Sequence, residues 1–366
     1  MSRFERAYGM PLGRASIRTI NIDFVVEEQL GFDASGEGQH WMMLVEKDGI
    51  NTLDMLNRLA KEFGVSKRDL GWSGLKDRHA VTRQFVTAPA SVHDFDDDKA
   101  PDLGDHLRIL SAVRHAKKLK RGVHRGNRFK LRLRDVDAPC CAVEQRLEQI
   151  RELGFPNYFG PQRFGHHNSN FENGRKLLID PRFKRPHGDK QKMYMSAVRA
   201  WLFNHVLSSR ISEQNWNQPL RDDLLILNGT NSFFIENDDL LGITRRLGKG
   251  NVHISGPLWG VAGKSHPESL ITRERDWLAP FSGECNRLAQ IGFDMARRPL
   301  RALPANLVWE WQSDTTLLLK FELQSGVFAT SLLRELVQGV DHGGNPHRAT
   351  TTGLQVMSLG PVSEDD

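Results

Sequence analysis

The sequence predicts an α/β (α+β) layered fold on three observations: strand-like apolar alternation near both ends, amphipathic helical stretches between, and a 366-residue length. That length corresponds to one large or two moderate domains. The first strand is expected over residues 20–27 (INIDFVVE), and a glycine-rich turn at 31–38 leads to a second over 40–45. A helix follows over about 52–63, where Leu53, Leu56, Leu59, Ala60 and Phe63 keep helical spacing and Gly64 supplies the stop. Residues 94–105 (DFDDDKAPDLGD) read as an acidic exposed loop facing away from any nucleic acid. Val143, Leu147, Ile150 and Leu153 mark a second helix over 142–153, ended by Gly154. From Pro156 the composition changes to PNYFGPQRFGHHNSN, then to a basic segment at 180–192 and a helix over 193–210, which opens a second unit. The pattern breaks again at RRPLRALP (297–304) before strands at 307–311 and 316–323 and a helix at 330–337. Residues 341–366 read as a loosely held tail.

Hydrophobic residues at 39% and charged residues at 26% exclude fibrous and fully disordered classes. No window holds the roughly 18 consecutive apolar residues of a membrane helix, and the first residues lack the apolar stretch of a secretory signal, so a cytoplasmic protein without a membrane partner is expected. Cys140, Cys141 and Cys285 are odd in number and lack CxxC spacing, which supports neither a disulfide framework nor a zinc cluster. The net charge of +5 is unevenly placed. Residues 114–134 (RHAKKLKRGVHRGNRFKLRLR) hold ten Lys/Arg and no acid, so the remainder sums to −5. From Phe129 the run alternates Phe-Lys-Leu-Arg-Leu-Arg, a strand whose basic residues share one face, as a phosphate backbone requires.

One segment concentrates chemistry: GLKDRHAVTRQ, residues 74–84, sets Asp77 between Lys76 and Arg78 after a glycine turn. His79 and the pair His166-His167 lack metal-ligand spacing, and Gly71-x-x-Gly74 lacks the Gly-Lys-Ser/Thr of a phosphate loop. The segment resembles the signature of the TruD family of pseudouridine synthases. Further matches follow in order: DFVVEE (23–28), Asn51-Thr52, RGNRF (125–129), NYFGPQRFG (157–165) and SGVFATSLLRE (325–335). Arg18 and Arg78 stand where the family carries lysine, which keeps the charge and exchanges a point charge for a planar fork.

The resemblance implies a pseudouridine-synthase catalytic core with a mixed, largely antiparallel sheet, formed by residues 1–156 and 305–366, and an inserted TRUD-type domain at 157–304. It implies Asp77 as the catalytic residue, Phe24, Asn127, Phe129 and Phe328 as uridine contacts, and Arg18, Lys76 and Arg78 as supporting cations. It further implies uridine 13 of tRNA, in the D-arm region, as substrate. The reaction detaches uracil, turns it and rejoins it through C5. It needs a carboxylate, ionised at neutral pH with an ordinary pKa of about 3.9, and neither metal nor organic cofactor. No obligate protein partner is expected. The alternative of another class is an RNA-binding or chaperone protein that keeps the cleft without the reaction.

Overall fold

The computed structural model describes residues 4–95, 100–230 and 232–343. The chain forms β1 (Arg14–Ile17), β2 (Phe24–Gln29), β3 (His40–Asp48), α1 (Thr52–Glu62), β4 (Gly71–Trp72), β5 (Val81–Pro89), β6 (Leu107–His115), β7 (Gly126–Leu133), α2 (Cys140–Leu153) and β8 (Phe155–Pro156). Then come α3 (Pro161–Phe164), α4 (Ser169–Ile179), α5 (Asp189–Ser212), β9 (Leu224–Leu227), β10 (Phe233–Ile235), α6 (Leu240–Gly248), β11 (Val252–Leu258), α7 (Glu268–Trp277), α8 (Ser282–Gln290) and β12 (Ala296–Pro299). It continues through β13 (Arg301–Ala302), β14 (Ala305–Ser313), β15 (Thr316–Gln324), α9 (Ala329–Leu336) and β16 (Gln338–Asp341).

The main sheet runs β14-β15-β7-β2-β5-β3-β6, with β4 added beside β5. Only β2 and β5 pair in parallel, so the sheet is mixed and largely antiparallel. Side-chain alternation divides it into two faces. Phe24, Val26 and Glu28 share the inner face with Lys47, Asn127 and Phe129, while Glu27, Arg83 and Arg128 share the outer one. Helices α2 and α9 cover one end of the inner face, where Leu147, Ile150, Leu332 and Leu336 pack with Phe24, Phe129 and Phe321. Helix α1 covers the other end with Met55, Leu56 and Leu59 against Trp41, Met43 and Val86. Between these clusters the inner face carries buried polar groups, Lys47, Thr82, Gln84 and Glu28.

A second sheet, β10-β9-β11-β12, packs with α3 to α8 around its own core. Helix α5 runs through that core and buries Val198, Leu202, Phe203, Val206 and Leu207. The chain leaves and returns through a two-stranded antiparallel pair, Phe155 opposite Ala302 and Pro156 opposite Arg301. Near the N-terminus Phe4 stacks on Tyr158 of the second core, and Arg334 of α9 donates to the Phe4 carbonyl at 2.6 Å. Strand β1 pairs in parallel with β16, which joins residues 14–17 to residues 338–341.

Several elements differ from the sequence expectation. The strand expected over 20–27 begins at Phe24, because Asn21–Asp23 forms a 3₁₀ turn in which the Asp23 carboxylate accepts from the Ile20 amide and is gripped by Arg132 and Arg134. Leu53 and Leu153, placed on buried faces by their spacing, are each 45% exposed in terminal helical turns, and Met55 takes the buried position in α1. Of the tail expected over 341–366, Asp341 ends β16 and residues 344–366 lie outside the described residues, as do 96–99 of the acidic loop.

Candidate active site

Asp77 lies in the connection from β4 to β5, which crosses the polar gap between the two apolar clusters. Three consecutive residues of this connection are fastened to residues 47–52, the end of β3, the link that follows and the first residue of α1. The Lys76 amide donates to Thr52 Oγ1 at 2.9 Å, Lys47 Nζ donates to the Asp77 carbonyl at 2.6 Å, and Arg78 Nε donates to the Gly49 carbonyl at 3.3 Å. At the start of the same connection Gly71 packs closely on the crossover after β6: a Cβ there would stand 2.6 Å from the Leu119 carbonyl oxygen.

The Asp77 carboxylate is 30% exposed and receives Arg18 Nη2 at 3.2 Å. Arg18 adopts a left-handed backbone with φ of +56°, a strained conformation for a non-glycine residue that costs about 1–3 kcal/mol. Its guanidinium lies 4.2 Å from the Phe24 ring centre, and its other terminal nitrogen reaches Asp341 at 3.3 Å. Lys76 Nζ bridges Glu28 at 2.7 Å and Asn127 Oδ1 at 2.8 Å. Glu28 is fully buried and also accepts from Ser73 Oγ and the Phe85 amide. Burial pushes Lys47 down from 10.5 to about 8; Asp77 and Asp48 oppose that shift, and Lys76 adds to it.

Six of the residues singled out in the sequence fall into two contact groups, one running from Asp77 to Arg18 to Phe24 to Phe129 (edge-to-face at 6.4 Å) and one of Lys76 with Asn127, which meet in the chain at Lys76-Asp77. Arg78 is exposed beside them. Phe24 and Phe129 are 2% and 7% exposed, and Phe129 stacks on Phe321 at 5.3 Å. These two rings form a buried floor and leave little open face for stacking. Phe328 stands apart, half-buried at the N-terminus of α9, 6.2 Å from Phe159 and packed on Gly160. The sequence reading missed Lys47, which had no local signal, and Glu28, which shares the alternation of Phe24 and Val26 and could have been assigned to their face.

The basic stretch at 114–134 is divided by the fold. Residues 116–125 cross the end of the sheet from edge strand β6 to β7, with Lys117, Lys120 and Arg125 exposed, and the Gly122 amide donates to the Ser73 carbonyl beside the Asp77 connection. In β7 the outcome differs from the expected phosphate-binding face, because Arg128 meets Glu27 and Glu322 and Arg132 meets Asp23. A cavity of about 400 Å³ opens on that outer face, lined by Val25, Glu46, Val81, Arg83 and Lys130, none of them among the residues joined to Asp77. Among the described residues no three His, Cys, Asp or Glu side chains gather as a metal site, and no helix is long and apolar enough to cross a membrane.

The family described as "tRNA pseudouridine synthase D (TruD)" matches residues 9–184 and 183–336. A tRNA pseudouridine synthase D of Methylococcus capsulatus is 38% identical over 333 residues, 91% of this chain and 94% of that protein. One of Shewanella oneidensis is 39% identical over 350 residues, 93% of this chain and 90% of that protein. A solved structure titled as a putative tRNA pseudouridine synthase D from Methanosarcina mazei superposes with a TM-score of 0.70 at 18% identity, covering 94% of this chain and 97% of that one, a likeness of fold.

Proposed function

The chain belongs to the TruD family of tRNA pseudouridine synthases, and on that premise we propose that it isomerises uridine 13 in the D-arm region of tRNA with Asp77 as the catalytic carboxylate. The N1–C1′ bond breaks, uracil stays in the site and turns, and a C5–C1′ bond forms. The C5 proton then leaves to solvent and N1 takes one up, so the change is redox-neutral and needs no cofactor. Asp77 attacks the sugar, attacks the base or removes a sugar proton. Each route needs the carboxylate held still.

The fastening of residues 76, 77 and 78 to Thr52, Lys47 and Gly49 is the observation that carries this reading. A connection fixed at three successive residues holds its central side chain in one place, and reaction rates depend on such placement. Arg18 Nη2 holds the carboxylate in its orientation, and Phe24 and Phe129 floor the site. Lys76 orients Asn127, whose amide reads an edge of uracil, and Phe328 supplies a more exposed ring. Residues 1–156 and 305–366 form the catalytic domain and 157–304 the insertion, a division supported by the separate cores and the β8–β13 pair. tRNA is the partner and the cytoplasm the place of work.

The test is Asp77→Asn assayed with tRNA tritiated at uracil C5, enzyme in excess. The expected outcome is loss of tritium release with tRNA affinity retained. Substantial pseudouridine from the verified variant would sink the assignment of Asp77.

A further inference from the structure

Where NYFGPQRFG meets α5, the second unit holds a cavity of about 120 Å³ lined by Phe159, Arg163, Lys192, Ser196, Arg199 and Phe293. Lys192, Ser196 and Arg199 recur at helical spacing on one face of α5, so the helix presents them together. Arg163 Nη2 donates to Ser196 Oγ at 2.6 Å and its guanidinium lies 5.6 Å from the Phe159 ring. Arg199 lies 5.2 Å from the Phe293 ring and donates to the carbonyls of Leu258 and Asp294. Beneath them Arg298 lies 4.1 Å from the Phe159 ring and donates to Asn157 Oδ1 at 2.6 Å.

The charge here is unbalanced. Among the described residues no carboxylate forms an ion pair with Arg163, Lys192, Arg199 or Arg298, although the same unit pairs buried Arg210 with Asp223 and buried Arg297 with Glu274. Asp294, the acid whose charge acts on Arg199, is exposed and lends Arg199 its backbone carbonyl. Arg199 Nε is buried with no hydrogen-bond partner. Burial draws the Arg163, Arg199 and Arg298 guanidiniums below their ordinary range, Arg298 to about 9. Clustered, partly desolvated cations with spare donors call for an anion. The cavity has room for a phosphodiester group. One wall, Phe159, is also the ring against which Phe328 rests.

We propose that this cavity is a phosphodiester subsite, taking the tRNA backbone phosphate next to the nucleotide that faces Phe328. The proposal rests on the functional reading above and adds where the strand is gripped on the insertion side. A phosphate there fixes the strand's register before the uridine enters the site, because phosphate contacts position a nucleic acid without reading its sequence.

The experiment measures binding of a tRNA transcript across salt concentrations for Lys192→Gln, Arg163→Gln and Arg163→Lys. Arg58→Gln/Lys61→Gln, on exposed positions of α1, controls for net charge. Each of the two single Gln variants is expected to lower the log–log salt slope by about 0.7–0.9, while Arg163→Lys keeps the slope and the α1 pair leaves it unchanged. Single methylphosphonate linkages are then placed around the isomerised uridine. One neutral linkage should weaken wild-type binding several-fold and cost the Lys192→Gln protein nothing further. Unchanged slopes in both Gln variants, or equal losses at every linkage in wild type and variant, would overturn the subsite. Binding of inorganic phosphate without any linkage effect would also overturn it. A wild-type protein that forms no pseudouridine would count against the functional reading instead, whatever the slopes.

Discussion

On the outer face of the main sheet Glu27 meets Arg83 at 3.3 Å and Arg128 at 3.5 Å, all three side chains partly in water. One residue further along β2, on the inner face, Glu28 holds Lys76 at 2.7 Å with no exposure at all. The two carboxylates differ only in which way the pleat turns them, yet the consequences separate widely. Exposed pairs contribute about 0–1 kcal/mol each, since water screens them and long side chains lose freedom. A buried pair is costly to assemble and far costlier to halve, because the remaining charge is stranded. The outer ladder of Glu27, Arg83, Glu46 and Arg128 is therefore surface chemistry, whereas the inner set of Glu28, Lys76, Lys47 and Asn127 is a scaffold beneath Asp77.

The contrast can be broken most forcefully at Glu28→Gln. Stranding Lys76 is expected to destabilise the fold by about 3–5 kcal/mol in urea unfolding and to reduce turnover by releasing Asn127. A loss under 1 kcal/mol would erase the distinction between the faces.

Lys47 sharpens it next through pH. Its folded pKa of about 8 lies below its ordinary 10.5, so between those values the unfolded chain binds the extra proton. The group's contribution to stability therefore rises with pH across that window. Single-turnover activity should fall as pH passes about 8, where Lys47 loses the charge beside Asp77, while the melting temperature shows no matching decline from this group. Lys47→Met should lower activity at pH 7 and flatten that alkaline limb.

A smaller effect is expected on the crossover. Replacing Lys117, Lys118 and Lys120 by Gln should reduce the salt slope of tRNA binding by about 0.7–0.9 per lost phosphate contact. An unaltered slope would remove the crossover from the RNA footprint. The smallest effect belongs to Glu27→Gln, expected to shift stability by about 0–1 kcal/mol with turnover unchanged; a large deficit would mean that the outer face supports the site.

Local features were legible in the sequence because their causes are local. The GLKDRHAVTRQ segment, the α1 stripe and the alternation of β7 can each be read within about a dozen residues. Pairing could not be read that way. Whether Arg128 and Arg132 face solvent or carboxylates depends on Glu322 and Asp23, which lie 194 and 109 residues away in the chain. Lys47 reads as the polar end of a strand, and its burial arises only when β3 and β5 align it with Thr82 under the Asp77 connection. The left-handed turn at Arg18 has no glycine to announce it, since contacts with Asp77, Phe24 and Asp341 impose it from outside.

The parallel pairing of β1 with β16 sets a timetable. Arg18 and Asp341 are 323 residues apart, and synthesis at about 5–20 residues per second separates their emergence from the ribosome by roughly 16–65 s. During that interval the growing chain already carries the Asp77 segment and its α1 anchor, but β1, which leads into Arg18, lacks its closing partner. Loop closure over such a span brings no reward until both ends exist. Competence at this site is thus acquired late in synthesis, after the insertion has had time to fold around α5.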